Sequence, residues 1–137
     1  DGGPPTRSMR AVLALLDTLK KRYRLDTRQL YAGGLSMGGA GTLELIARKP
    51  KTFAAAFAIC GGAHPRQARK IRKTPLWLFH GEKDDIVDPE FSKKLDTEIR
   101  KGKGDVRLTL YPNANHNSWD PAFSEPNLLP WLFGHRK

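Results

Sequence analysis

A chain of 137 residues with 39% hydrophobic and 28% charged content has the size and balance of one globular domain, which excludes a disordered polymer. Its net charge of +10 raises nucleic acid, anionic surfaces and acidic substrates as partners, but no nucleic-acid motif accompanies the charge, so no nucleic-acid partner is expected. One cysteine, Cys60, excludes an intrachain disulfide framework and a cysteine-rich metal site.

Met9, Leu13, Leu16, Leu19 and Tyr23 recur at helical spacing behind an N-cap at Thr6 or Ser8, predicting an amphipathic first helix. The opening residues Asp1 to Pro5 have neither the basic n-region nor the apolar h-region of a signal peptide. The basic cluster Lys20 to Arg24 complements the helix's negative C-terminal end. Leu30-Tyr31-Ala32 then leads, as a short buried parallel strand, into Gly34-Leu35-Ser36-Met37-Gly38. Ala40, Leu43, Ile46 and Ala47 mark a helix stopped by Lys49-Pro50. Phe53 to Cys60 reads as a second buried strand, far too short to span a bilayer, broken by Gly61-Gly62.

A basic connection, Arg66 to Lys73, precedes a third apolar run from Leu76 to Phe79 that ends at His80-Gly81. An acidic loop follows, and Asp88-Pro89-Glu90 opens a helix with an acidic N-cap and proline at its first position. Phe91, Leu95 and Ile99 form its stripe, and Gly102 and Gly104 end it. Val106 to Tyr111 alternates as a strand, Pro112 to Asp120 is a polar loop, and Leu128, Leu129, Trp131 and Leu132 belong to a last helix bent by Pro130. Strands alternating with helices predict an α/β fold, 1–137 as a single domain, with a mostly parallel sheet, helices on both faces and reactive groups at the carboxyl ends of the strands.

The glycine-framed Ser36 is the candidate nucleophile. A serine on a sharp strand-to-helix turn stands at the top of the sheet, and the flanking Gly34 and Gly38 are expected to be small because the turn leaves no room. Serine needs a base, and the base needs an acid to orient it. Among four histidines, His80 precedes a glycine at a strand end and suits a turn, His135 sits in a basic tail, and His64 comes before any candidate acid. His116 follows the last strand in a loop returning to the edge that carries Ser36, so it is the candidate base. Three carboxylates follow the third strand: Asp88 is explained by capping, and Asp84 and Asp85 remain as acids. Trp77 lies in an apolar strand and reads as core, whereas Trp119, three residues past His116, either packs on the histidine loop or lines a substrate pocket.

Gly34-Leu35-Ser36-Met37-Gly38-Gly39, Ile59-Cys60-Gly61-Gly62, His80-Gly81-Glu82-Lys83-Asp84 and His116-Asn117-Ser118-Trp119 carry a resemblance. From Met9 onward the chain is similar to the C-terminal half of an α/β-hydrolase, in the esterase group of dienelactone hydrolases, phospholipase/carboxylesterases and prolyl-oligopeptidase-like peptidases. The resemblance selects Asp84 through its H-G-x-x-D turn and implies a Ser36–His116–Asp84 triad, with the Met37 N–H as one oxyanion donor. It departs from the group at Asn115, where a glycine usually precedes the histidine, and at Val87-Asp88-Pro89, where a residue is inserted. It also implies strands ahead of the first helix, one of them supplying the second oxyanion donor, so the chain is expected to be a partial domain with impaired turnover.

The expected function is hydrolysis of small-molecule carboxylic esters through an acyl-enzyme, which calls for no metal and no organic cofactor. Two alternatives stand beside it: a serine peptidase of prolyl-oligopeptidase type, and a catalytically weak basic module holding an anionic partner with Arg66, Arg69, Lys70, Arg72 and Lys73.

Overall fold

Four strands, β1 (Tyr31–Leu35), β2 (Ala55–Ile59), β3 (Leu76–Gly81) and β4 (Val106–Tyr111), pair in parallel in the order β1-β2-β3-β4. Register runs Leu35 against Ile59, Ile59 against Phe79 and Gly81 against Tyr111, which aligns the strands' carboxyl ends. The computed structural model describes residues 3–137; Asp1 and Gly2, with which the expected domain opens, lie outside the described residues. No helix among the described residues is long and apolar enough to cross a membrane.

The central strands β2 and β3 read as continuous apolar runs because both of their faces are covered, whereas the edge strands β1, expected to be buried, and β4 are partly exposed; alternation sorts the side chains into two cores. Ala56, Ala58, Leu76 and Leu78 face Leu43 and Ile46 of α2 (Met37–Arg48), Ile71 of α3 (Ala68–Ile71), and Leu95 and Ile99 of α4 (Glu90–Lys101). Phe57, Ile59, Trp77 and Phe79 face the other way, against Ala122 of α5 (Trp119–Phe123) and Leu128 and Trp131 of α6 (Leu128–Phe133). Trp77 is a core residue, stacked on Phe79 with centroids 4.8 Å apart, and its indole N–H donates to Thr109 Oγ1.

The first helix, α1 (Arg7–Arg22), is capped by Thr6, whose Oγ1 accepts from Met9 N at 3.1 Å; Ser8 lies inside it. Of its expected stripe, Met9 is buried and Leu13 and Leu16 are half-buried, whereas Leu19 and Tyr23 point into solvent. The basic connection contains a 3-10 turn (Pro65–Gln67) and α3, a single turn that buries Ala68 and Ile71. The polar loop after β4 is shorter than the sequence implies, because α5 starts at Trp119. A five-residue helix holding Pro121 is too short to show a periodic stripe. The α4 helix begins one residue later than the capping pattern suggests, although Asp88 Oδ1 still accepts from Glu90 N at 2.9 Å. In α6, Pro130 occupies the first turn, where a missing N–H breaks no intrahelical bond.

Candidate active site

Ser36 joins β1 directly to α2 with φ 53° and ψ −117°, a conformation that L-residues resist. Two backbone bonds hold it there: Ser36 N donates to Ile59 O at 2.8 Å, and Ala40 N donates to Ser36 O at 3.0 Å. A Cβ on Gly34 would run into the backbone of Gly38, so only glycine fits two residues before the serine. The expected need for glycine at Gly38 does not hold, since a Cβ there would meet nothing within 4 Å; that position of α2 projects outward. We therefore expect Gly34→Ala to lower the melting temperature markedly, whereas Gly38→Ala should leave it unchanged or raise it through the helix preference of alanine, about 0.5–1 kcal/mol. Thermal unfolding of the two variants checks this.

The loops after β3 and β4 are tied together by their backbones. Glu82 N donates to Tyr111 O and Lys83 N to Ala114 O, each at 2.9 Å. A Cβ on Gly81 would collide with the carbonyls of Ala114 and Asn115, so this glycine lets the histidine loop lie across the end of β3. Asp84 folds back into an Asx turn in which Oδ1 accepts from Ile86 N and Val87 N, each at 2.9 Å. Its other oxygen, Oδ2, lies 2.8 Å from His116 Nδ1, and His116 Nε2 lies 2.8 Å from Ser36 Oγ. A carboxylate only accepts, so Nδ1 carries the proton and Nε2 accepts from the serine hydroxyl.

Burial pushes the Asp84 carboxyl up, but the bonds from His116, Val87 and Ile86 outweigh it and hold the group below its ordinary value. It is therefore a carboxylate at neutral pH, with a fully buried side chain, while the His116 side chain stays 20% exposed at the cleft.

Asp85, the other acid, is exposed, and Asp88 is spent on its cap. His64 accepts from Arg66 N through Nδ1, and His135 Nδ1 donates to Trp131 O; among the described residues it is His116, and neither of these, that hydrogen-bonds Ser36 Oγ. Trp119 stands edge-on to His116 at 5.4 Å and also packs on the second core cluster, so it braces the imidazole from behind. Met37 is the first residue of α2, where helix geometry leaves the backbone N–H without an intrahelical acceptor. Of the basic cluster, Arg72 is tied to Gly102 O and serves the fold, while Arg66, Arg69, Lys70 and Lys73 are exposed.

A cleft of about 420 Å³ opens beside Ser36, lined by Met37, Ala40, Gly62, Ala63, His64, Val87 and Phe91. Phe91 had the spacing of a core residue, yet it is 43% exposed. It sits on the first turn of α4, at the level where the strands end, and that position was the available signal. Cys60, with φ 43°, is buried behind the serine, and burial raises its thiol. One atom each from Cys60, Asp84 and His116 lies within 4.8 Å of the other two. These are the described residues best grouped to hold a metal, although Asp84 and His116 already satisfy one another.

A serine elbow at the carboxyl edge of a parallel sheet, with a carboxylate and an imidazole on the loops after two later strands, defines the α/β-hydrolase class. Within it the chain belongs to the Dienelactone hydrolase family, whose pattern matches residues 5–125. It is 34% identical over 127 residues to a bifunctional acetylxylan esterase/xylanase of Neocallimastix patriciarum, covering 85% of this chain and 19% of that protein. It superposes on the crystal structure of a thermostable esterase with TM-score 0.92 and 34% identity, over 97% of this chain and 38% of that one. The acylaminoacyl peptidase of Pyrococcus horikoshii shares the fold, with TM-score 0.70 at 14% identity over 79% of this chain and 23% of that one. The chain thus spans less than two fifths of the length of these relatives.

Proposed function

We propose that the chain carries the catalytic centre of a carboxylic ester hydrolase acting on small-molecule esters, with residues 1–137 as part of one α/β-hydrolase domain. The unbroken hydrogen-bond line from Ser36 Oγ through His116 to Asp84, 2.8 Å at each link, carries this reading. Ser36 Oγ attacks the ester carbonyl carbon while His116 Nε2 takes the hydroxyl proton, and Asp84 stabilises the imidazolium. The Met37 N–H bonds the oxyanion. Collapse of the tetrahedral adduct breaks the C–O bond, and His116 returns its proton to the departing alcohol. Water, deprotonated by His116, then attacks the acyl carbon, and collapse breaks its bond to Ser36 Oγ as His116 returns the proton to that oxygen, releasing the acid.

The 34% identity to esterases favours ester over peptide. In this reading the Met37 N–H is one oxyanion donor, and because each such donor is worth about 10²–10³ in turnover, turnover depends on more than the triad. Covalent labelling is therefore the sharper test: a fluorophosphonate probe should modify Ser36, and short-chain aryl esters should turn over. A folded protein that stays unlabelled at Ser36 refutes the proposal.

A further inference from the structure

Asp84 is held by more groups than the proposed reaction uses. Its Oδ1 takes two backbone N–H groups, its Oδ2 accepts from His116 Nδ1 at 2.8 Å, and His80 Nε2 lies in contact with the same Oδ2 at 3.2 Å. His80 is a fully buried imidazole on β3 with no part in the steps above. Its tautomer follows from its neighbours. Val87 O, 2.8 Å from Nε2, only accepts, so Nε2 carries the proton and donates it to that carbonyl, with Asp84 Oδ2 3.2 Å from the same nitrogen. Nδ1 is then left to accept from the hydroxyl of Ser92, at 2.8 Å, and Ser92 is itself buried on α4.

We propose that His80 is a positioning residue for the catalytic acid: a second imidazole, locked by Ser92 as the Nε2–H tautomer, fixes Asp84 Oδ2 against His116 Nδ1. A bond to Val87 O alone would only shape the turn. The shared contact with Oδ2 is what reaches the site. Without it the carboxylate remains pinned at Oδ1 but is free to tilt about that anchor, loosening the bond that keeps His116 Nε2 unprotonated and aimed at Ser36. The inference rests on the Ser36–His116–Asp84 reading for its kinetic consequence and on the hydrogen-bond pattern alone for its structural one.

Three variants of the full chain test it. His80→Leu removes the donor, His80→Gln places an amide N–H near the position of Nε2, and Ser92→Ala leaves the imidazole in place but unlocks its tautomer. Aryl-ester kinetics and NMR of nitrogen-labelled histidines provide the readouts. His80→Leu should lower kcat by up to about a hundredfold, as small misplacements of reacting groups do, with KM within about twofold. It should also weaken the His116 Nδ1–H resonance. His80→Gln should recover most of both, and Ser92→Ala should fall between. A wild-type kcat and resonance in His80→Leu overturn the proposal. If His80→Leu does not fold, wild-type values in Ser92→Ala overturn it. If the wild-type chain is neither labelled nor active, the hydrolase reading fails, while the His116 resonance still decides whether His80 holds Asp84.

Discussion

Ser36→Ala is expected to abolish fluorophosphonate labelling and to cut ester turnover by about four to six orders of magnitude where a complete oxyanion hole is present, the usual cost of losing a triad nucleophile. The fold should survive, because the Ser36 side chain makes no cap bond to α2 and its hydroxyl contacts His116 alone. The strained φ is held by the backbone bonds to Ile59 and Ala40, which alanine retains. Mass spectrometry of the labelled peptide, together with kcat/KM on a short-chain aryl ester, checks this. A label on any peptide other than the one containing Ser36, or activity surviving the substitution, would sink the assignment.

Asp84→Asn should cost about 10⁴ in kcat. An amide turned toward His116 either offers its NH₂ to the Nδ1–H or forces the ring into the opposite tautomer, which puts a proton on Nε2 where Ser36 needs an acceptor. The substitution also has a stability signature. Burial raises the folded-state pKa of Asp84, but the bonds from His116 and the N–H groups of Val87 and Ile86 outweigh it and hold the carboxyl below its ordinary value. A carboxyl depressed in this way contributes stability that is fully present above its unfolded pKa and is lost as pH falls through the folded one. The gap in unfolding free energy between wild type and Asp84→Asn should therefore be widest near neutral pH and narrow below about pH 4. Urea unfolding across that range measures it, and a gap independent of pH would show that Asp84 is not held as a carboxylate.

Much of the site was legible in the chain because its chemistry depends on local backbone constraints. Gly34 before Ser36, Gly81 at the end of β3 and the H-G-x-x-D turn are places where the main chain must pass very close to another segment, and such places narrow residue choice to types that stand out. The order Ser36, Asp84, His116, each after a different strand, is the one the resemblance to α/β-hydrolases implies. Gly38 shows the opposite case: a glycine inside the motif that the chain's own packing does not require. Elements that leave no period were missed. The single turn of α3 and the five residues of α5 are stabilised by what they pack against, Ile71 on one sheet face and Ala122 on the other, and nothing in four or five residues records that.

From sequence alone came the parallel α/β alternation and the candidate nucleophile and base, with Asp84 preferred to Asp85 through the H-G-x-x-D resemblance, because hydrophobic period and glycine placement are local properties. The fold alone gave the distances between these groups and their causes. Asp84 and not Asp85 reaches His116 because the Asx turn inside the acid loop rotates one carboxylate inward. Phe91 faces the cleft because its turn of α4 stands where the sheet ends. His80 touches Asp84 because β3 and the loop after it bring residues four apart within 3.2 Å. Distances of that kind depend on how loops fold back across a sheet edge, and they belong to the tertiary structure.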